Sequence, residues 1–349
     1  MKGEKLFRHS LLKWNRQENK RKMPWKGEKD PYKVWLSEVI LQQTRVEQGW
    51  SYYEKFVLQY PTIQALAAAS DESVFKLWEG LGYYSRCKNL LHTARLIVEQ
   101  YNGIFPARYQ LIASLKGVGA YTASAIASFC FDLPYAVVDG NVLRVIARFF
   151  GIDQPVDTTE GKKFFGSLAQ SCLDKKNPGE YNQAIMDFGA TICKPAPLCN
   201  ACPLKKDCVA YKSGRVAGLP VKSNRLQKKE RWFSYFIFIA HGKKFIRQRK
   251  EKDIWQHLYE FYLVETGGDP QWTSKKIKSW LKKHLNIDSA ASVRILAARP
   301  QTLTHRIIHG YFIEVELLSV PLALGSETNW VANNAVDGKA FPRFIRQYL

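Results

Sequence analysis

The stretch LKGVGAYTAS, Leu115 to Ser124, decides how the chain is read. It sits between two helical patterns, places glycines at 117 and 119, and stations Tyr121 at the start of the second pattern. An L-x-G-V-G segment in that setting predicts a helix–hairpin–helix turn. Its two glycines permit positive φ and let a phosphate approach bare backbone amides at a helix N-terminus. A ligand-free glycine turn between helices has the same local sequence, so the rest of the chain must discriminate.

Outward from this turn, helical signals run from Asp30 to Cys208. Asp30-Pro31 supplies a cap and a proline at the first helical position, with apolar spacing continuing to about Gln48. Further helices are expected at 63–69, 71–77, 86–101, 121–131, 141–150, 159–173 and 180–191. With no strand–helix alternation, residues 1–208 read as an all-α domain. Residues 209–231, rich in Lys, Arg, Ser and Gly, read as a linker. Beyond it WFSYFIFIAH, VRILAA and FIEVELLSV have strand character, and one helix is expected near 274–284. Residues 232–349 are therefore expected to form an α+β domain, making the protein multidomain.

The 349 residues carry 52 Lys+Arg against 31 Asp+Glu, a formal net charge of +21, with 13% aromatic residues. Such an excess points to a polyanionic partner, most simply nucleic acid, since cations gain affinity by releasing counterions from phosphates. No apolar run reaches a membrane span, and the N-terminus lacks the apolar core of a signal peptide. A cytosolic, reducing compartment is expected, where seven cysteines are not a disulfide framework.

Four of those cysteines follow the pattern Cys193-x5-Cys199-x2-Cys202-x5-Cys208. Clustered thiols of this kind imply a metal site. Spacing leaves a tetrahedral zinc and a 4Fe–4S cluster both open, although intervals of five, two and five are unlike paired zinc knuckles.

Two carboxylates stand out. In VWLSEVILQQT, Val34, Glu38 and Leu41 share one helical face, so the glutamate lies on an apolar stripe. Burial there raises a carboxyl pKa, as a general acid requires, although a buried glutamate bonding a neighbouring helix is the plainer reading. In VVDGNVLRV, Asp139 is first of all an N-cap. A capping aspartate is expected to stay ionised through the amides it accepts from. Glu38 and Asp139 would then be pushed in opposite directions, as acid and anion are in glycoside cleavage. Gln42, Gln43 and the Tyr83-Tyr84 pair could enter a base stack, but on their own they read as packing residues.

Taken in order, DPYKVWLSEVILQQTRV, EGLGYYSRCKNL, LKGVGAYTASAIASF, VVDGNVLRV and the cysteine run resemble the MutY-type adenine DNA glycosylases of the helix–hairpin–helix superfamily. RQRKEKDIWQHLYEFYLVET and LTHRIIHGYF resemble, less densely, that family's C-terminal Nudix-like module, which senses 8-oxoguanine. The resemblance implies a monomer that acts on double-stranded DNA, excising adenine opposite 8-oxoguanine or guanine after flipping the nucleoside out. It implies Glu38 as the acid that protonates the adenine and Asp139 as the anion that steadies the sugar cation. Asn141 would position these groups, and the four cysteines would hold a 4Fe–4S cluster. It also implies Gln43 and Tyr83, assisted by Gln42, as wedges around the lesion, with Leu115, Gly117 and Gly119 on the DNA backbone and His309 reading the 8-oxoguanine. Tyr121 stands where endonuclease III-type relatives carry a lysine. A phenol cannot form the Schiff base of a lyase, so a monofunctional glycosylase is expected, its hydroxyl bonded to an active-site carboxylate. The alternatives are an endonuclease III-like glycosylase/lyase and a non-enzymatic iron–sulfur DNA-binding protein.

The chain departs from the family in three places. The first cysteine interval is one residue short. Ile307 and Ile308 replace a common Phe-Ser pair, which is expected to alter discrimination of 8-oxoguanine from guanine. Lys26 replaces an arginine and cannot offer its planar fork. TSKKIKSWLKKHL is basic where a Nudix hydrolase carries its metal-binding acids, so no nucleotide hydrolysis is expected.

Overall fold

The computed structural model describes residues 2–223, 227–288, 290–325 and 327–349. Residues 224–226 of the expected linker lie outside the described residues. The chain divides into two compact units, one of Met1–Ala68 with Lys88–Arg225 and one of Ala69–Cys87 with Leu226–Leu349.

The first unit is helical. It holds α1 (Lys2–Gln17), α2 (Pro31–Leu41), α3 (Val46–Gln59) and α4 (Ile63–Ala68). After α5 (Asp71–Trp78), which belongs to the other unit, α6 (Tyr84–Tyr101) re-enters it. Then come α7 (Tyr109–Ser114), α8 (Ala120–Phe131), α9 (Gly140–Phe150), α10 (Thr159–Cys172), α11 (Pro178–Thr191) and the single turn α12 (Val209–Lys212). In α9, Val142, Ile146 and Phe149 recur at i, i+4 and i+7 and are buried together with Phe7 and Leu11 of α1 and Tyr181, Ile185 and Phe188 of α11. Each such side chain contributes about 1.5–3 kcal/mol by leaving water.

The helix expected to run from Asp30 to about Gln48 is two helices. It stops at Leu41, because Gln43 adopts a left-handed backbone with φ of 61°, and restarts at Val46. Nothing local announces this break, since glutamine is an ordinary helix former. Residues 209–223, expected as linker, are tied to the helical unit. Arg215 pairs with Asp153 at 2.6 Å, the Val156 amide donates to the Val221 carbonyl at 3.0 Å, and Ser223 bonds Asp157.

The second unit is built on a sheet. Its strands are β1 (Lys229–Ala240), β2 (Lys243–Phe245), β3 (Arg247–Gln248), β4 (Tyr259–Glu260), β5 (Tyr262–Thr266), β6 (Ala290–Ala297), β7 (Gln301–Thr302), β8 (Arg306–Leu317) and β9 (Trp330–Ala332). The order is β6-β8-β1-β2-β9, with β5 beside β1, β7 beside β8, and β3 and β4 paired separately. β1 and β8 run parallel in register from Lys229↔Arg306 to Ile239↔Glu316. Gly310 is required there, because a Cβ would stand 1.7 Å from the Phe233 carbonyl oxygen. On one face, helix α13 (Ser274–Leu285) buries Ile277, Leu281 and Leu285 against Phe236, Phe238, Ile313 and Val315. The remaining helices are the short α14 (Asn333–Val336) and α15 (Arg343–Arg346). Phe344 of α15 packs on Tyr235 and Phe312, with ring centroids 6.2 and 5.8 Å apart. Among the described residues no helix is long and apolar enough to cross a membrane.

Candidate active site and DNA-facing turns

A cavity of about 660 Å³ in the helical unit is lined by Glu38, Tyr121, Asp139 and Asn141, among others. Their elements are distant in sequence and meet because α2 packs on α8 and α9 on α11. Gly189 of α11 permits the second packing, since a Cβ there would lie 2.7 Å from that of Asn141. Helix α2 is buried on nearly every face, and Glu38 is 6% exposed.

Burial pushes the Glu38 carboxyl up to about 7, with a hydrogen bond to Tyr121 opposing the rise and the Asp139 charge adding to it. No cation pairs with Glu38 among the described residues. The Tyr121 hydroxyl also stands 3.3 Å from Met186 Sδ, and burial drives its pKa well above the ordinary phenol value.

Asp139 caps α9. Its Oδ1 accepts from the Val142 amide and its Oδ2 from Asn141 Nδ2, both at 2.7 Å. The expectation that these donors keep its pKa low is corrected, for burial outweighs them and the pKa is raised. Glu38 and Asp139 are shifted in the same direction. Asn141 is itself held by Arg144, which donates to Asn141 Oδ1, the Gly189 carbonyl and the Cys193 carbonyl, each at 2.8 Å. On the cavity wall, Lys26 donates to buried Asp187 at 2.8 Å and to the Arg21 carbonyl at 3.0 Å, so a point charge fills this place without an arginine fork.

The Leu115–Gly119 turn joins α7 to α8. Leu115 and Val118 are buried, so the Leu115 side chain anchors the turn while Lys116, Gly117 and Gly119 are exposed. Gly117 needs its glycine twice over, through a φ of 81° and a Cβ position 2.7 Å from that of Asn89. Gly119 differs from expectation, having an ordinary φ of −84°. It N-caps α8 without any side-chain cap, and a Cβ on it would meet nothing within 4 Å. The first α8 amides therefore have no side-chain cap, which leaves the kind of helix N-terminus that takes an anion.

Gln43 and Tyr83 are both non-glycine residues in left-handed conformation, with φ of 61° and 47°. Each costs roughly 1–2 kcal/mol, which the surrounding structure sustains. Both are exposed, whereas Gln42 is half-buried and donates to Thr122 Oγ1 at 3.3 Å. In the second unit the Tyr83 hydroxyl touches Thr304 Oγ1 in the turn between β7 and β8. Sequence reading did not single out Thr304, since a turn threonine carries no signal of its own. His309 lies further along β8, stacked on Trp232 at 4.8 Å, with Nε2 lacking a hydrogen-bond partner and 3.6 Å from Glu230. Ile308, matched to the serine of the Phe-Ser pair, faces the core and not the His309 side of β8.

Cys193, Cys199, Cys202 and Cys208 line one small cavity together with Arg148. Arg148 Nη1 lies 3.6 Å from Cys193 Sγ and donates to the Lys194 carbonyl, while Nη2 donates to the Pro195 carbonyl. Burial raises the thiol pKa values of Cys202 and Cys208, and the backbone amides of Leu204 and Tyr211 oppose that rise. N–H groups directed at thiolates are the surroundings that a thiolate-bound iron–sulfur group takes. Among the described residues no three His, Cys, Asp or Glu groups close on a single ion.

Residues 36–165, which contain Glu38, the hairpin and Asp139, match the family model described as HhH-GPD superfamily base excision DNA repair protein, and residues 234–349 match that of the NUDIX domain. The helical unit is thus of the helix–hairpin–helix glycosylase class. A solved thermostable thymine-DNA glycosylase superposes with a TM-score of 0.56 at 29% identity, covering 61% of this chain and 98% of that one. The adenine DNA glycosylase of Buchnera aphidicola subsp. Acyrthosiphon pisum is 35% identical over 292 residues, covering 82% of this chain and 81% of the relative. That of Rattus norvegicus is 44% identical over 227 residues, which are 61% of this chain and 44% of the relative. The chain belongs to the adenine DNA glycosylase family.

Proposed function

We propose that the protein is a monofunctional adenine DNA glycosylase of base excision repair, taking adenine mispaired with 8-oxoguanine or guanine in duplex DNA. The observation that carries the reading is the shared cavity, in which an uncompensated, protonatable Glu38 lies with Asp139. With the nucleoside flipped into that cavity, Glu38 gives its proton to the purine, so the base leaves neutral as the C1′–N bond breaks. The sugar is left as an oxocarbenium-like cation. Asp139, held by the Val142 amide and Asn141, provides the facing anion, and in a dry pocket this attraction is strong. Water completes hydrolysis at C1′. Tyr121 bonds Glu38 and offers no amine, so the reaction stops at the abasic site.

The uncapped N-terminus of α8, with exposed Lys116 in the turn before it, takes the DNA backbone, and Gln43 and Tyr83 enter the duplex. The Tyr83–Thr304 contact favours the turn between β7 and β8 as the second unit's approach to the orphan base. His309, with its unpartnered nitrogen, is a secondary candidate for that role. Cys193, Cys199, Cys202 and Cys208 fit a 4Fe–4S cluster, which when bound would brace the loop that also accepts from Arg144 and Arg148.

Duplexes with adenine opposite 8-oxoguanine or guanine, incubated with protein and treated with hot alkali, should break at the adenine. Borohydride should trap no covalent complex. Intact strands after alkali would refute the activity, and efficient trapping would favour a lyase.

A further inference from the structure

We propose that Glu79 is a positioning residue for lesion discrimination. It clamps the turn bearing Tyr83 onto the C-terminal segment of the chain, so that Tyr83 and Thr304 are held as one reading pair. The inference rests on the reading of Tyr83 given above.

Glu79 ends α5, four residues before Tyr83. Its half-buried carboxylate accepts from Arg346 Nε at 2.7 Å and Nη2 at 3.1 Å, from the Phe341 amide at 2.8 Å, and from Lys76 Nζ at 2.9 Å. Lys76 also reaches the Lys339 carbonyl at 3.1 Å, and Lys339 pairs with Glu72 at 2.6 Å. A charged fork with two further donors fixes both position and angle, which a single neutral hydrogen bond does not. From Glu79 onward the turn is stiff. Gly80, Gly82 and Tyr83 all have positive φ, and Trp78 Nε1 donates to the Gly82 carbonyl at 3.0 Å. The Arg86 guanidinium lies over the Trp78 and Tyr83 rings, 5.2 and 5.4 Å from their centroids.

Thr304 is tied to the same C-terminal segment by another route. Its turn is closed by the Leu303 amide on the Arg306 carbonyl at 2.7 Å, and β8 then carries Phe312 onto Phe344. Both members of the pair thus lead back to residues 341–346. An orientation error at such a pair changes how a lesion is read without touching the buried acid.

Glu79→Gln tests this in the full-length protein. Single-turnover adenine excision opposite 8-oxoguanine and opposite guanine is measured, together with hydrogen–deuterium exchange of residues 79–86. The expected result is a ratio of the two rates lowered at least about fivefold, an unchanged guanine-opposed rate, and faster exchange in the turn. A ratio equal to that of the parent protein, or an equal fall in both rates, would overturn the proposal. If the parent protein shows no preference for 8-oxoguanine, the lesion reading itself fails. Exchange then judges the clamp alone, and unaltered exchange in Glu79→Gln overturns it.

Discussion

The charge on Asp253 and Glu260 of the sheet unit is handled in the opposite way to that on Glu38 of the helical unit. In the sheet unit, Asp253 accepts from Arg231 at 2.9 Å, Arg306 at 3.0 Å and Arg249 at 3.2 Å, and buried Glu260 contacts Arg249 and Arg247. Burial pushes the Asp253 carboxyl up, but the Arg231 and Arg249 guanidiniums and a backbone amide outweigh it and bring it down to about 2. In the helical unit Glu38 has a phenol and no cation, and it rises to about 7. Paired buried ions are architecture. An unpaired buried carboxyl costs stability, which accords with the proposal that a reaction uses it.

Removing each kind of charge should therefore do opposite things. Glu38→Gln is expected to cut single-turnover adenine excision by about 10³-fold or more while leaving duplex affinity within a few-fold, as a paired rate and gel-shift measurement would record. Arg249→Ala should instead unfold the protein at lower denaturant, by roughly 3–5 kcal/mol, because Glu260 would keep its burial and lose its closest cation. A denaturant midpoint unchanged by that substitution would undo the contrast.

Glu38→Gln should also stabilise. A carboxyl whose folded pKa of about 7 exceeds its ordinary 4.5 costs nothing below 4.5, and its penalty grows as pH rises from 4.5 to 7 and is full above 7, where folding must bury its charge or retain its proton. The variant should gain up to roughly 3 kcal/mol at pH 8 and little at pH 4.5. Equal stability gains at both pH values would contradict the burial. The smallest effect concerns strain. Gln43→Gly should change stability by less than about 1 kcal/mol, relief of the left-handed backbone being offset by glycine's entropy, while duplex affinity falls.

The amino-acid sequence exposes much of this site because its pieces are local. A glutamate on an apolar stripe, an aspartate before Gly-Asn and the L-x-G-V-G turn each carry a signal within about ten residues. Cooperative features are hidden. The balance between desolvation and amide donors at Asp139 depends on how deeply α9 is buried, which no window reports. The break at Gln43 runs against local propensity, as strained functional turns often do. The Glu79–Arg346 clamp and the Tyr83–Thr304 contact join residues 267 and 221 positions apart, which explains why residues 69–87 group with the sheet unit. The four cysteines were legible as a cluster, but Arg148 behind them was not.

The central claim is that an uncompensated, buried Glu38 supplies the proton. The pH dependence of kcat/KM for adenine excision tests it most directly, because that ratio reports groups of the free enzyme. The rate should fall about tenfold per pH unit once pH rises past roughly 7, and that limb should vanish in Glu38→Gln. A flat profile through pH 9, or an identical limb in Glu38→Gln, would contradict it.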